Sequence, residues 1–432
     1  MGRHGKILRL ALPAIASNIT IPLLGLCDTA VSGHLGNAEY LAAIAAGGMM
    51  INVVFWLCGF LRMGTTGLTA EAYGAANELK MSRVFSRAVA IALIIGALVT
   101  VFRHPLLRLL IWAMAPDAET VRLAGRYFDI CILGAPAQLV TMALTGWFIG
   151  MQNTLWPMAV AVTVNVVNIA ASLSAVYLLG MGFEGVAYGT LTANWLGVIL
   201  ASVAVWRFAR SRRLWCGWGN LFKGGELRKF FTVSSDLFFR SACIMGVTFA
   251  VTSYGARMGS ETLAVNAVMM QFFIFFSYFM DGLAFAGEAM CGKSLGAHDR
   301  DEFHSSVNAL NKWGLWVAVG FLLVYLVGHK EIVALITDVG SVRDGVGQMS
   351  WALLLIPPVS MAAFLYDGFF IGLTATRRML VTTLAATVVF FAVMLIFKMS
   401  NPTLWVAFLS YLGVRGIGLA AQLPHVVRKK FS

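Results

Sequence analysis

The sequence contains little charge. Only 12% of its 432 residues are Asp, Glu, Lys or Arg, whereas 59% are hydrophobic and the mean hydropathy is +0.79. Soluble domains carry about 25% charged residues, so this deficit excludes a large soluble domain. Apolar runs of about 20 residues, the length that a helix needs to cross a bilayer, recur along the whole chain. Strands of a membrane barrel would instead show about 10 residues of alternating polarity. The sequence therefore predicts an all-α polytopic membrane protein.

Residues that commonly carry chemistry are also scarce. The chain has six cysteines and seven histidines, and neither type has the spacing of metal ligands. Nothing resembles a nucleotide-binding loop, a catalytic triad or a zinc motif. We therefore expect no enzyme activity, no catalytic residue, no bound metal and no cofactor. The cysteines inside the apolar runs are interpreted as buried thiols.

Twelve transmembrane helices are predicted. The first run is too long for a cleaved signal peptide and is not followed by a small-residue cleavage site. The twelve predicted spans cover residues 7–33, 42–69, 84–111, 122–149, 155–179, 183–207, 229–255, 262–291, 305–328, 346–372, 379–398 and 403–425.

The basic residues lie mostly on one side of this arrangement. If both termini face the cytoplasm, the inner segments hold twenty Lys and Arg residues, namely Arg3, Lys6, Arg9, Lys80, Arg83, Arg87, Arg207, Arg210, Arg212, Arg213, Lys223, Arg228, Lys229, Lys293, Arg300, Arg377, Arg378, Arg428, Lys429 and Lys430. The outer segments hold eight, namely Arg103, Arg108, Arg122, Arg126, Arg257, Lys330, Arg343 and Lys398. This bias follows the positive-inside rule and explains the net charge of +12. The basic excess therefore predicts two cytoplasmic termini and contact with membrane lipids, and no nucleic-acid partner.

The chain contains an internal repeat. The segment GWFIGMQNT, from Gly146, matches GFFIGLTAT, from Gly368, and the same offset of 222 residues pairs Pro136 with Pro358. Several matches at one offset, at equivalent positions of the spans, indicate a duplication.

A basic, glycine-containing linker divides the two copies. We predict an N-terminal six-helix lobe over residues 1–206, a cytoplasmic linker over 207–228 and a C-terminal six-helix lobe over 229–432. Six spans per copy give both lobes the same orientation in the membrane. Repeated bundles are typical of secondary transporters, whose substrate binds between halves that rock to expose it to each side in turn.

One carboxylate lies deep in the first span. Asp28 is the only ionisable residue between Arg9 and His34, within the stretch GLCDTAVSGHL. A carboxylate at that depth costs a few kcal/mol or more, which makes it a candidate functional site by default. The alternative is a structural polar contact between helices. Pro22 lies six residues earlier, where a bend of the helix would move Asp28.

The second half carries its own acidic residues. Asp281 and Glu288 are seven residues apart and share one helical face, and Asp367 opens the DGFFIG motif. With Lys293 nearby, one interpretation is a buried ion-pair network. The other is a second proton site or a cation-binding site.

Arg62 is an isolated base inside the second span. It either reaches the membrane surface along its own side chain or pairs with a carboxylate, for which Glu71 and Asp28 are the candidates.

Three segments resemble the multidrug and toxic compound extrusion (MATE) family. LALPAIASNITIPLLGLCDTAVSGHLG resembles the family's first helix, and FLRMGTTGLTAEAYGA and DGFFIGLTATRRM resemble its DinF-like branch. The resemblance implies two six-helix lobes in a bacterial inner membrane. It also implies export of amphipathic, usually cationic, compounds against an inward flow of protons or sodium.

The resemblance also implies a coupling site in the first lobe. It places a first-helix acid, here Asp28, at the family's cation site. In span 5, VNVVNIAASLSAV matches a pattern of Asn followed by an acid four residues later, with Asn168 at the first position and Ser172 where the acid is expected. A sodium site would lose a carboxylate by this change, so we favour proton coupling. Thr190, with Asn165 and Asn194 as further candidates, would complete the pocket.

Three functions remain open from the sequence. The first is a proton-coupled antiporter that exports small organic cationic or amphipathic compounds as a monomer, with sodium coupling as its variant. The second is a flippase for lipid-linked precursors, which would need bases for anionic headgroups, whereas the spans hold few. The third, a channel or receptor, is disfavoured by the two-lobe repeat and by the lack of a filter-like motif. The bases within the spans are Arg62, Arg240, Lys312 and Arg415.

Overall fold

The computed structural model describes residues 2–33, 38–114, 118–212 and 225–432, and within them the chain forms α-helices and no β-strand. A 3-10 segment, Ile132–Gly134, joins α6 to α7, and a π-helical segment, Ser174–Leu178, follows α8. The helices are α1 (Arg3–Gly33), α2 (Ala38–Leu57), α3 (Phe60–Gly74), α4 (Glu78–Val101), α5 (Arg103–Met114), α6 (Ala118–Cys131), α7 (Ala135–Gly150), α8 (Leu155–Leu173), α9 (Glu184–Arg212), α10 (Gly225–Arg257), α11 (Ser260–Gly296), α12 (Arg300–Ile336), α13 (Gly340–Gln348), α14 (Ser350–Gly372), α15 (Thr376–Ile396) and α16 (Asn401–Phe431).

The described residues contain twelve helical segments that are long and apolar enough to cross a membrane. They correspond one to one with the twelve predicted spans, so the predicted fold class is confirmed. In hydrocarbon a backbone must satisfy its own hydrogen bonds, which is why apolar runs of this length become helices.

Several spans predicted as single helices are interrupted. The span predicted over 42–69 is split at Cys58 and Gly59, between α2 and α3. There the Gly59 N–H donates to the Trp56 carbonyl at 3.0 Å, in place of a regular four-residue helical bond. No proline marks this break in the sequence.

Proline explains a second interruption and is tolerated elsewhere. The 3-10 turn Ile132–Gly134 lies directly before Pro136, which lacks an N–H and cannot donate within a continuous helix. Pro357 and Pro358, by contrast, lie inside an uninterrupted α14. The span predicted over 346–372 includes the short α13, which ends at Gln348 before α14 begins.

The contacts divide the chain into two units. The C-terminal unit comprises Met1–Ile15, Gly74–Ala76 and Lys229–Ser432, and the N-terminal unit comprises Ala16–Tyr73 and Asn77–Arg228. The division runs through α1. The linker predicted over 207–228 lies partly outside the described residues, and its boundaries stay a prediction.

Within the C-terminal unit, the start of α1 is attached to α12. Arg3 Nη2 donates to Glu302 Oε2 at 2.9 Å, and Trp313 Nε1 donates to His4 Nδ1 at 3.1 Å. These exposed polar contacts fix the position of the first turns of α1 on the C-terminal unit.

The N-terminal unit has an apolar core where α2, α6 and α9 meet. Met50, Phe128 and Val186 are fully buried there, and the rings of Tyr40 and Phe183 stack 5.1 Å apart. Such close packing holds helices together in lipid, where the apolar solvent provides no hydrophobic drive between them.

The C-terminal unit has an aromatic core between α11 and α12. The rings of Phe276 and Phe321 lie 5.3 Å apart in an edge-to-face arrangement, and Phe321 contacts Tyr325 in the same way at 5.6 Å. The Tyr325 hydroxyl is buried and donates to the Phe272 carbonyl at 2.7 Å, so its burial leaves no polar group unsatisfied.

The repeat is visible in the turns. Asn77 caps α4 by accepting from the Lys80 N–H at 2.8 Å, and Asp299, 222 residues later, caps α12 by accepting from the Glu302 N–H at 2.8 Å. Both caps follow a residue with positive φ: Ala76 at 49° and His298 at 52°. The two turns therefore share one backbone conformation.

Equivalent glycines form equivalent helix contacts. A side chain on Gly150 would lie 2.8 Å from the Thr66 carbonyl oxygen, and one on Gly372 would lie 2.7 Å from the Glu288 carbonyl oxygen. Both pairs are related by the offset of 222 residues. Glycine is required at these positions because two helix backbones touch there, as is common between membrane helices.

Candidate functional site

Three neutral side chains form a polar cluster within the N-terminal unit. Asn168 and Ser172 lie one turn apart on α8, and Thr190 faces them from α9. Ser172 Oγ donates to Asn168 Oδ1 at 3.2 Å, and Asn168 Nδ2 donates to Thr190 Oγ1 at 3.3 Å. Asn168 and Ser172 are buried, and Thr190 is half-buried. We call Asn168, Ser172 and Thr190 the N-terminal polar cluster.

Backbone contact between α8 and α9 fixes this cluster. A side chain on Gly189 would overlap Ser172 Oγ and would lie 2.7 Å from the Ser172 backbone nitrogen. Thr190 Oγ1 also donates to the Val186 carbonyl at 3.2 Å, which sets the side-chain rotamer that receives Asn168. The π-helical segment that starts at Ser174 lies directly after Ser172, and such segments are frequent at functional sites.

The other two predicted polar candidates lie apart from this cluster. Asn165 Nδ2 donates to Thr20 Oγ1 at 2.6 Å and so connects α8 to α1 within the N-terminal unit. Asn194 is buried on α9 and packs against Gly134, at the 3-10 turn before α7.

The side chain of Asp28 lies outside the described part of the structure, so its coupling role stays a prediction. Its backbone belongs to α1, which runs from Arg3 to Gly33. Pro22 is exposed on this helix, and α1 is assigned as one continuous helix through it.

Glu71 forms an ion pair in the N-terminal unit. Lys80 Nζ donates to Glu71 Oε1 at 3.0 Å, across the turn between α3 and α4. Arg62 is half-buried at the start of α3, and its carbonyl accepts from Thr66 Oγ1 at 2.9 Å. Its predicted role as a charge partner stays a prediction.

Asp367 lies in a buried ion network of the C-terminal unit. Arg240 Nη2, from α10, and Arg415 Nη2, from α16, both donate to Asp367 Oδ2 on α14, the second at 2.5 Å. The three side chains are at most 9% exposed. We call them the arginine–aspartate network. Of the two interpretations of Asp367, this geometry favours the ion network over a proton site, but its partners are arginines of α10 and α16.

Asp281 and Glu288 both lie on α11, as predicted. Glu288 is buried at 1% exposure and Asp281 is half-buried, two turns away on the same face. Lys293 is exposed near the end of α11. Whether either acid takes part in coupling stays a prediction.

One buried acid was missed in the sequence. Asp236, on α10, accepts from Thr376 Oγ1 at 3.0 Å and from Arg377 Nη1 at 3.3 Å. It thereby places a carboxylate at the start of α15, where the helix dipole favours negative charge. An acid inside the predicted span 229–255 was the signal that could have revealed it. Among the described residues, no group of three or more His, Cys, Asp or Glu side chains is arranged to hold a metal ion.

The MatE family model matches residues 13–173 and 237–396, one copy in each half of the chain. The chain belongs to the MATE family. It is 35% identical to DNA damage-inducible protein F of Escherichia coli K12 over 416 residues, which cover 95% of this chain and 90% of that protein. This similarity places it on the DinF-like branch.

Solved structures share the fold of this MATE-family protein. One is described as the outward-facing conformation of a multidrug resistance MATE family transporter of the MOP superfamily; it superposes with a TM-score of 0.85 at 17% identity and covers 99% of this chain and 97% of that one. Another is a MOP superfamily transporter from Pyrococcus furiosus, with a TM-score of 0.84 at 18% identity and coverage of 99% and 96%. Its description reports a binding pocket of reverse polarity that suggests a different function.

Proposed function

We propose that this MATE-family transporter exports amphipathic, cationic organic compounds in exchange for protons, by alternating access. Family membership supports a membrane transporter rather than an enzyme. The relatives support the substrate class, since one solved member of the same fold is described as a multidrug resistance transporter. No cofactor is required, because the ion gradient supplies the energy.

The observation that carries the choice of ion is the N-terminal polar cluster. Its hydrogen bonds run from Ser172 to Asn168 and from Asn168 to Thr190, so all three side chains are neutral and already satisfied within the cluster. A sodium ion prefers charged oxygen ligands, and no carboxylate is part of this cluster. Asp28 would then act alone, and one carboxylate is sufficient to carry one proton.

Protonation of Asp28 gives a physical route to the conformational change. A neutral carboxyl group donates a hydrogen bond, whereas a carboxylate only accepts, so the two forms need different partners. Proton binding from outside and release inside would therefore favour different positions of the second half of α1. A ligand or proton shifts such an equilibrium only through a difference in interaction between the two states.

The positive-inside distribution supports a location in the bacterial inner membrane with both termini in the cytoplasm. The relative in Escherichia coli supports a bacterial membrane. We propose that the chain works as a monomer and that its remaining contacts are with lipids.

The second candidate is a flippase for lipid-linked precursors. The observation in its favour is the arginine–aspartate network, which contains two arginines and one aspartate and therefore has an excess of positive charge. An anionic headgroup would be attracted by such a site.

The deciding experiment measures rhodamine 123 efflux from proteoliposomes under an imposed pH gradient or an imposed sodium gradient. We expect the wild-type chain to respond to the pH gradient, and Asp28→Asn to insert and fold but lose that response. Asp338→Asn is the matched control, because Asp338 is fully exposed. Proton-driven efflux that survives in Asp28→Asn would remove Asp28 from the mechanism. Efflux driven by sodium alone would refute proton coupling, and no efflux under either gradient would refute drug export and favour the flippase.

A further inference from the structure

The arginine–aspartate network carries more positive charge than a structural lock requires. Arg415 alone, paired with Asp367, would connect α14 to α16 with no net charge. Arg240 adds a second guanidinium on the same Asp367 oxygen, Oδ2. An unbalanced charge inside a membrane protein is costly, so a network of this composition is expected to serve a purpose beyond packing.

The network also has unused hydrogen-bonding capacity. Asp367 Oδ1 and Arg415 Nε are both buried and have no hydrogen-bond partner among the described residues. Arg415 Nη1 makes only a long contact of 3.5 Å to the Tyr411 hydroxyl. A guanidinium binds an acidic group best through two adjacent N–H groups, and Arg415 still has Nε to offer.

Aromatic rings border this charge. The Arg415 guanidinium lies 5.4 Å from the centre of the Tyr411 ring, and Phe408 stacks against Tyr411 at 6.3 Å with an angle of 23° between the planes. Phe273, from α11, meets Phe408 edge-to-face at 5.1 Å. An aromatic compound with an acidic group would find both an apolar surface and a cation here.

The position along the helices is that of a transport site. Arg240 lies near the middle of α10 (Gly225–Arg257), and Arg415 near the middle of α16 (Asn401–Phe431). In secondary transporters the substrate binds near the middle of the bilayer.

We propose that the arginine–aspartate network is a subsite for the acidic group of the transported compound. Substrates would then include aromatic amphiphiles that carry an acid, such as a carboxylate, in addition to a cationic group. Asp367 occupies the two arginines when no acid is bound, and an incoming acid shares them through Arg415. This inference rests on the proposed export of amphipathic compounds and narrows the class of compound.

The test compares two dyes that differ in one group. Rhodamine 110 carries a free carboxylate and is a zwitterion, whereas rhodamine 123 is its methyl ester and is a cation. Initial efflux rates of both are measured from proteoliposomes under a pH gradient, and the quantity of interest is their ratio. Variants change the charge of the network in both directions: Arg415→Gln and Arg240→Gln lower it, and Asp367→Asn raises it.

We expect the ratio of rhodamine 110 to rhodamine 123 efflux to fall about tenfold in each arginine variant, since a hydrogen bond to a charged group contributes that much to an equilibrium. The ratio should not fall in Asp367→Asn. The double variant Arg415→Gln/Asp367→Asn has the wild-type net charge and should recover part of the ratio. Lys312→Gln is the control, because Lys312 is an exposed base of α12 outside the network.

A structural role predicts a different pattern. If efflux of both dyes falls in parallel in every network variant, the three side chains only hold the helices and the inference is wrong. It is also wrong if the wild-type chain exports rhodamine 123 but not rhodamine 110. Failure to export either dye would instead refute the proposed function. Variants that lose efflux altogether are examined by fluorescence polarisation of each dye with the purified protein, where the same loss of preference for rhodamine 110 is expected.

The acidic group belongs either to a soluble compound or to a lipid headgroup, and a second measurement separates these sources. Flipping of a fluorescent lipid with an anionic headgroup is followed in the same vesicles. Flipping that depends on Arg415, without rhodamine 110 efflux, would overturn the assignment to soluble compounds. Rhodamine 110 efflux without flipping supports it.

Discussion

The contact between Gly189 and Ser172 determines the geometry of the N-terminal polar cluster, and its removal has a calculable effect. In Gly189→Ala the new methyl group would lie 2.7 Å from the Ser172 backbone nitrogen, whereas ordinary contacts begin at 3.4 Å. Because the nearest backbone atoms are part of α8, rotation of the Ser172 side chain cannot relieve this overlap. Helix α9 must therefore move away from α8 by about 0.7 Å, the difference between those distances.

The displacement breaks a hydrogen bond of the cluster. Thr190 is adjacent to Gly189, so the Asn168 to Thr190 bond of 3.3 Å would lengthen to about 4.0 Å and be lost. Overpacking and one lost hydrogen bond together should lower the free energy of unfolding by about 2 to 4 kcal/mol. Efflux should fall as well, because the cluster loses its geometry.

The assay is unfolding of the purified variant in detergent micelles, together with rhodamine 123 efflux. Gly48→Ala is the matched control, since Gly48 lies in a helix of the same unit and a side chain there meets no atom within 4 Å. Adding Ser172→Ala to Gly189→Ala removes only the hydroxyl and leaves the backbone overlap, so it should not restore stability. If Gly189→Ala is as stable as Gly48→Ala, the close helix contact and the reasoning built on it are wrong.

Two further predictions concern stability. Trp405→Phe removes the donor to Asn266 Oδ1, a buried bond of 2.8 Å, and should cost about 1–3 kcal/mol because the amide oxygen is left unsatisfied; Trp206→Phe, at a half-exposed position, should cost less, and equal unfolding midpoints for the two variants would contradict the explanation. Glu71→Lys places a second cation beside Lys80 and should lower the unfolding midpoint, whereas Glu71→Lys/Lys80→Glu restores opposite charges and should recover most of the loss; a double variant no more stable than the single one would show that the ion pair is not the cause.

The fold was largely predictable because the bilayer imposes it. An apolar run of sufficient length has one stable structure in hydrocarbon, so twelve runs predict twelve spanning segments. The break at Cys58 and Gly59 was not predictable, because it depends on tertiary contacts and no proline marks it. The break before Pro136 had a local cause and could have been anticipated.

The candidate site was predictable only where its residues are close in sequence or belong to the family pattern. Asn168 and Ser172 share a helical face one turn apart, and the family resemblance supplied Thr190. The arginine–aspartate network joins residues separated by 127 and 48 positions. A single sequence shows that bases and acids exist inside the spans, but not which of them meet.

The two capped turns have the same backbone conformation but opposite charges on either side. The first has Glu71 before it and Lys80 after it, and the equivalent positions of the second hold Lys293 and Glu302. A chain made of two copies risks pairing a helix with the wrong copy while it is being inserted. A hairpin formed by α3 and α12 would place Glu71 opposite Glu302, and one formed by α11 and α4 would place Lys293 opposite Lys80. Both incorrect hairpins bring like charges together and both correct ones bring opposite charges together, so the inversion lets each copy assemble with itself.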